Sequence, residues 1–199
     1  NYHYLVPEIG PQTPFAADPR ELIGQFRAGS GDSGTPLRPA VLGPVSFLLL
    51  SKADDAAPEG FDPLDRLDDL VEVYRGLIDQ VAAEGAQWIQ IEEPALVTEH
   101  HRPDLAGRVR DAYRRLTAAR APNGPSILVA TPYGDAEDLL EPLVDAGVDA
   151  VHVDLVSGPD GGGLREPSAD QLALFTGEDA PVLVAGVVNG QNIWRTDLR

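Results

Sequence analysis

Residues 87–97 read QWIQIEEPALV, an apolar run that ends in two glutamates and a proline. Five more runs of this kind are YHYLVPE (2–8), PAVLGPVSFLLL (39–50), SILVATPYGD (126–135), DAVHVDLV (149–156) and PVLVAGVVNG (181–190). Short apolar runs rich in valine and isoleucine, separated by amphipathic helices, are typical of buried parallel strands in repeated βα units. The sequence therefore predicts an α/β protein whose functional residues lie where the strands end.

Helices are predicted between these runs. The best pattern covers residues 63–84, where Asp62 is a good N-cap, Pro63 suits the first helical position and Gly85 is placed to end the helix. Apolar residues recur between these bounds at steps of three and four and form one stripe that should be buried. Further helices are predicted over residues 20–26, 105–120, 136–146 and 168–175.

The order of strands and helices restricts the fold to two architectures. Connections that contain helices favour parallel strands, because a parallel pair needs a crossover of about a dozen residues. Six such strands form either an open doubly wound sheet or an incomplete eight-stranded barrel, and periodicity leaves both open. With 199 residues, 43% of them hydrophobic, the sequence predicts a single domain around one core.

Composition excludes several classes of partner and site. Fifteen Lys and Arg oppose 32 Asp and Glu, which leaves a net charge of −17. A surface this acidic repels phosphate backbones and anionic lipid, so neither nucleic acid nor a membrane is expected as a partner. The chain has no cysteine, which excludes disulfides, thiolate nucleophiles and cysteine-ligated zinc. A cytoplasmic location is expected.

Two adjacent acids end the run at residues 87–97. If strand alternation continues, Glu92 and Glu93 point in different directions, one toward the cleft at the strand ends and one toward a helix. A carboxylate in the cleft is suited to binding an amine or to acid/base work. The alternative is that both are solvated or capping groups.

Three further polar residues lie on predicted strands. Asp154 ends the run at residues 149–156, where it is placed to orient a ligand or to hold a neighbouring arginine. His152 precedes it by two residues on the same strand face and is predicted to be a buried histidine with one satisfied nitrogen. His3 lies between two tyrosines, and it either reaches a pocket or packs in an aromatic cluster of the core.

Five segments taken together resemble the N-terminal half of the cobalamin-independent methionine synthase family. They are NYHYLVPE (1–8), LGPVSFL (42–48), WIQIEEPALV (88–97), VHVDLV (151–156) and GVVNGQNIWRTDL (186–198), in the family's order and approximate spacing. The resemblance implies a (βα)8 TIM-like barrel, here incomplete, with about six parallel strands over residues 1–199. These correspond to strands three to eight, without the first two βα units and without the catalytic C-terminal barrel.

The resemblance also implies an activity. The family moves a methyl group from 5-methyltetrahydrofolate with a polyglutamate tail to homocysteine, giving methionine. Zinc held by His, Cys, Glu and Cys of the C-terminal barrel binds the homocysteine thiol and lowers its pKa. Here the matching strand ends at residues 131–134 in TPYG, the glutamate position falls near Asp154, and the last strand offers Val188 and Asn189. No cofactor is therefore expected on this chain.

The resemblance implies a substrate-side scaffold with no catalytic residue of its own. Glu92 occupies the position of an acid that contacts the homocysteine amino group in the catalytic half, and His3, Glu92 and Asp154 are the expected substrate-binding residues. In the whole enzyme the partners would be homocysteine, the folate polyglutamate and the C-terminal barrel. An open barrel also exposes edges, so the chain is expected to self-associate or to pair with the rest of its parent. The alternative is a stand-alone βα binding module without catalysis.

Overall fold

The computed structural model describes residues 5–30, 36–98, 102–118, 120–121, 124–156 and 164–188. Its strands are β1 Glu8–Ile9, β2 Ala40–Leu42, β3 Lys52–Ala53, β4 Trp88–Glu92, β5 Ser126–Thr131, β6 Ala150–Asp154 and β7 Val182–Gly186. Its α-helices are α1 Arg20–Ser30, α2 Pro44–Leu49, α3 Leu67–Ala83, α4 Leu105–Ala118, α5 Leu140–Asp145 and α6 Ala169–Ala173. None of the described helices is long and apolar enough to cross a bilayer.

Five strands form a parallel sheet in the order β2-β4-β5-β6-β7, while β1 pairs with β3 in a separate two-stranded sheet. The register of the large sheet places Leu42, Glu92, Ala130, His152 and Val184 side by side. Because side chains alternate along a strand, this row and the residues two positions away share one face. We call it the inner face, since it corresponds to the inside of a βα barrel.

The opposite face of the sheet carries the hydrophobic core. Its fully buried strand residues are Ile89, Ile91, Ile127, Val129, Val151 and Val153. Helices α3, α4 and α5 supply the other half of this core, through buried residues such as Val71, Val109 and Leu143. Burying one side chain of this size stabilises a fold by about 1.5–3 kcal/mol, so this layer carries most of the stability.

The two longest helices confirm the predicted pattern. The Asp62 side chain accepts a hydrogen bond from the Leu64 amide at 3.0 Å, and Gly85 ends the helix with a φ of 84°. Between them a short 3-10 helix, Pro63–Arg66, leads into α3, and the predicted apolar stripe is buried except for the half-buried Tyr74. In α4 the residues that helical spacing predicts to point inward, Leu105, Val109, Ala112, Tyr113 and Leu116, are all buried.

The run at residues 39–50 is not one strand, and the prediction that it is was wrong. β2 ends at Leu42, and α2 begins at Pro44. Proline suits the first helical position, where its fixed φ is already correct and its missing N–H removes no hydrogen bond. This unbroken apolar run therefore contains a strand followed by a helix.

The first predicted strand also differs from the expectation. Residues 1–4, which include His3, lie outside the described residues, and residues 5–7 are not in a strand. Glu8 begins β1, which pairs with β3 and not with the large sheet. The α/β prediction is confirmed with five of the six expected strands in one parallel sheet, and the barrel is not closed because β2 and β7 remain edges of that sheet.

Gly43 connects β2 to α2 at a point of close approach. Its amide donates to the Glu92 carbonyl at 2.6 Å, which ties the turn to the end of β4. A Cβ atom at this position would lie 2.1 Å from Cδ of Glu93, whose side chain is fully buried. Only glycine leaves room for that carboxylate.

We expect the Gly43→Ala substitution to lower the free energy of unfolding by about 1–3 kcal/mol, the usual cost of forcing atoms into a packed interior. The matched control is Gly76→Ala in α3, where a Cβ would meet nothing within 4 Å. That control should raise the free energy of unfolding by up to about 1 kcal/mol, because alanine is the better helix former. Urea unfolding measures both, and equal stability of the two variants would contradict the close approach at Gly43.

Candidate functional site

Glu92 lies at the end of β4 on the inner face, so of the two adjacent acids it is the one that points toward the strand-end cleft. Its Oε1 atom accepts a hydrogen bond from Nε2 of Gln90 at 2.7 Å. Gln90 in turn accepts from Nε of Arg38 at 3.0 Å. A guanidinium, an amide and a carboxylate thus form a chain along the inner face, and the half-buried Glu92 keeps one oxygen for a further donor.

Glu93 points to the other side of the sheet, as strand alternation predicts for one of the two acids. Its carboxylate accepts hydrogen bonds from the amides of Val45 and Ser46, at 3.2 and 2.6 Å, and from the Tyr113 hydroxyl at 2.6 Å. The first two donors belong to the first turn of α2, whose N-cap residue Gly43 offers no side chain. Glu93 therefore caps α2 from a neighbouring strand.

The sequence left capping as an alternative role for both acids without saying which one caps which helix, although a signal for Glu93 was present. A helix that begins Gly-Pro has no Ser, Thr, Asp or Asn to satisfy its first amides, so an acceptor must come from elsewhere in the fold. The acid next to Pro94 is that acceptor.

Burial raises the pKa of Glu93 above its ordinary value of 4.5, because removal from water disfavours the charged form more than its hydrogen bonds favour it. The same burial, with the Glu93 charge beside the hydroxyl, raises the pKa of Tyr113. The pair is a structural acid and its donor, enclosed in the core and away from the inner face.

Asp154 ends β6 and joins two strand-end loops. Its carboxylate accepts from the amide of Tyr133 at 2.9 Å and from the amide of Val156 at 2.8 Å. Arg165 donates to the carbonyl oxygen of Asp154 at 3.1 Å and forms an ion pair with Asp135 at 2.7 Å. Arg165 thus lies beside Asp154, but it bonds the backbone carbonyl of that residue and pairs with the carboxylate of Asp135.

His152 lies in the same inner-face row as Glu92, two residues before Asp154 on β6, and is half-buried. Its Nδ1 atom is buried with no hydrogen-bond partner among the described residues, so the predicted satisfied nitrogen is not this one. Burial lowers the pKa of His152, while the charges of Asp154 and Glu92 oppose that change. A Cβ at position 186 would lie 2.4 Å from Nε2, so Gly186 leaves room for the imidazole.

The side chains that the structure describes are not arranged as a zinc site would require. In the described ranges no three His, Asp or Glu side chains lie together as a metal would require, and the whole chain lacks cysteine. Thr131, at the end of β5, is buried and donates to the His152 carbonyl at 2.8 Å. The Asp154 carboxylate is engaged with loop amides.

A cavity of about 590 Å³ lies at the opposite end of the sheet. Its lining includes Trp88, Ala150 and Val182, the first residues of their strands, together with Phe26 and Leu37. In βα barrels the chemistry occupies the carboxyl ends of the strands, and the amino ends serve stability. This cavity lies at the amino ends of the strands, so it is not the candidate site.

We expect the Glu93→Gln substitution to flatten the dependence of stability on pH. A carboxyl whose pKa is raised by folding stabilises the protein below its ordinary value of 4.5, and this contribution is lost as the pH rises through the folded-state pKa. Urea unfolding from pH 4.5 to about pH 8 should therefore show a smaller loss for Glu93→Gln than for the unaltered protein. The exposed Glu59→Gln control should follow the unaltered protein, and an identical profile for Glu93→Gln would contradict the assignment.

Comparison with known proteins identifies relatives over the whole chain. Residues 1–199 match the family described as cobalamin-independent synthase, N-terminal domain. Proteins named 5-methyltetrahydropteroyltriglutamate–homocysteine methyltransferase are 45% identical over 198 residues in Mycobacterium tuberculosis and 44% identical over 199 residues in Rhodococcus jostii. Both alignments cover 100% of this chain and 24% of the relative, so the chain spans about a quarter of the length of these proteins.

A solved structure supports the fold. The B12-independent methionine synthase from a Shewanella species superposes with a TM-score of 0.53 at 14% identity, over 73% of this chain and 45% of that one. At this identity the likeness concerns the fold alone, and it agrees with a partial βα barrel. Since the family match extends over every residue, the chain belongs to the cobalamin-independent synthase family and corresponds to its N-terminal domain.

Proposed function

We propose that this chain is the substrate-side scaffold of an enzyme that transfers a methyl group from 5-methyltetrahydropteroyltriglutamate to homocysteine, forming methionine. The observation that carries the proposal is 45% identity across the whole chain to a methyltransferase of that name. Because the chain covers 24% of that relative, the catalytic barrel is a partner outside these residues. The zinc of the reaction is assigned to that barrel, since this chain has no cysteine and its described residues include no metal-binding cluster.

Within this assignment the inner face meets the substrates at its strand ends. The Glu92 carboxylate, oriented by Gln90 at 2.7 Å, is suited to accept hydrogen bonds from the ammonium group of homocysteine. Asp154 holds the neighbouring loops and thereby shapes this end of the sheet. His3 stays a predicted substrate contact outside the described residues. We also place the protein in the cytoplasm, without nucleic-acid or membrane partners, in keeping with its charge of −17.

The test is methyl transfer by the full-length protein that contains this domain, with methionine measured by mass spectrometry. Glu92→Gln should raise the KM for homocysteine about 10- to 100-fold, the value of one hydrogen bond to a charged group, with little change in kcat. The exposed Glu59→Gln serves as the matched control and should leave both constants unchanged.

Two outcomes would contradict different parts of this proposal. If the unaltered protein makes no methionine from both substrates in the presence of zinc, the activity is wrong. If Glu92→Gln keeps its KM for homocysteine, the role of Glu92 is wrong while the activity stands. A non-catalytic binding module, the alternative, would bind a ligand without forming methionine.

We further expect the chain alone to associate with another copy. Its sheet edges β2 and β7 expose apolar side chains, among them Leu42 at 40% and Val182 at 57%. Exposed edges and apolar patches of this kind promote pairing between chains. Light scattering should give a mass above 21.2 kDa that falls after Val182→Lys, and a monodisperse monomer of the unaltered chain would refute the expectation.

A further inference from the structure

The cavity at the amino ends of the strands combines an apolar lining with a single charge. Its volume of about 590 Å³ lies in the range of pockets that hold small organic molecules. The large apolar residues that line it are Phe26, Leu37, Trp88, Leu128, Val182 and Val184. Among the described residues of this lining, Arg38 alone is charged. The cavity is therefore suited to a molecule that has an apolar body and one charged group.

Arg38 has no carboxylate partner, although the chain is rich in carboxylates. Every other basic residue that the structure describes forms an ion pair, apart from Arg114 on α4. Since the chain has 32 acidic residues and 15 basic ones, a shortage of acids does not explain an unpaired arginine. The charge of Arg38 is thus available to an anion from outside the described chain.

A hydrogen bond to Gln90 holds the guanidinium of Arg38 at the cavity. Nε of Arg38 donates to Oε1 of Gln90 at 3.0 Å, and Nε2 of Gln90 donates to Oε1 of Glu92 at 2.7 Å. Neither bond uses the terminal nitrogens Nη1 and Nη2 of Arg38, so both keep their N–H donors. A planar guanidinium with free terminal donors matches a carboxylate, which it binds through two parallel hydrogen bonds.

We propose that this cavity binds an amphiphilic carboxylate, with the apolar chain of the ligand inside the cavity and its carboxylate on Arg38. A neutral apolar molecule would leave the charge of Arg38 unused. A polyanion is repelled by the net charge of −17, so a single carboxylate on an apolar chain fits both features. The inference does not depend on the proposed function, because the cavity and the strand-end acids lie at opposite ends of the sheet.

The test is isothermal titration calorimetry of the full-length protein that contains this domain, with octanoate as the probe. Octanoate should bind, and octanol should bind about 10- to 100-fold more weakly, because it lacks the charge that Arg38 contacts. Hexanoate should bind about 15-fold more weakly than octanoate. Each CH₂ group removed from water changes the affinity about fourfold, and hexanoate has two fewer of these groups.

Two substitutions locate the site. Arg38→Gln should weaken octanoate binding about 10- to 100-fold and leave octanol binding unchanged. Val184→Phe should weaken the binding of both probes, because the larger side chain fills the cavity. The matched control is Arg114→Gln, which removes the same charge from another exposed arginine without an ion pair and should leave the octanoate affinity unchanged. Because Arg38 is exposed, its substitution tests the proposal even if Val184→Phe does not fold.

Each contrary result overturns a definite part of the inference. If the full-length protein does not bind octanoate, the inference is wrong, and binding by the 199-residue chain alone would then show that another part of the parent protein covers the cavity. An unchanged octanoate affinity in Arg38→Gln refutes the location. Equal affinities for octanoate and octanol refute the carboxylate and leave a purely apolar pocket. None of these results depends on methyl transfer, which is measured separately.

Discussion

The buried carboxylate of Glu93 is the interaction on which the rest of this structure depends. It lies behind the end of β4 and is bonded to two amides of α2 and to the Tyr113 hydroxyl of α4. An acid in this position would be costly without such donors, because burial disfavours its charge. By satisfying α2, which has no cap of its own, it joins the sheet to two helices. It also explains why the turn at Gly43 must lack a side chain.

The same interaction determines where Glu92 points. Adjacent residues of a strand face opposite sides, so fixing Glu93 in the helical layer sends Glu92 to the inner face. There it lies in the same row as His152, with Asp154 two residues further along β6. The position of the candidate site therefore follows from core packing. Its acids lie on strands whose opposite face is packed in the hydrophobic core.

Much of the fold could be predicted from the sequence, because periodicity records which side chains are buried. The stripes of α3 and α4 and five of the strands follow from this pattern. The division between β2 and α2 could not be predicted, since both are apolar and only Gly43-Pro44 separates them. In the site, Glu92 and Asp154 were visible as polar strand ends. The positive φ of Tyr133 was not visible, because it accompanies a hydrogen bond to Asp154 and the packing of Gly134 on Val97, both distant in sequence.

The order of the sheet, β2-β4-β5-β6-β7, has a consequence for how the domain is made. Each strand of the large sheet after β2 pairs with the strand of that sheet that precedes it in the sequence. Only the short β3, which belongs to the small sheet, lies between β2 and β4. Each new strand can therefore pair with the edge of the sheet that is already synthesised. No earlier pair of strands has to separate for it. Contacts that are close in sequence speed folding. Assembly can proceed from β2 toward β7 at the pace of translation.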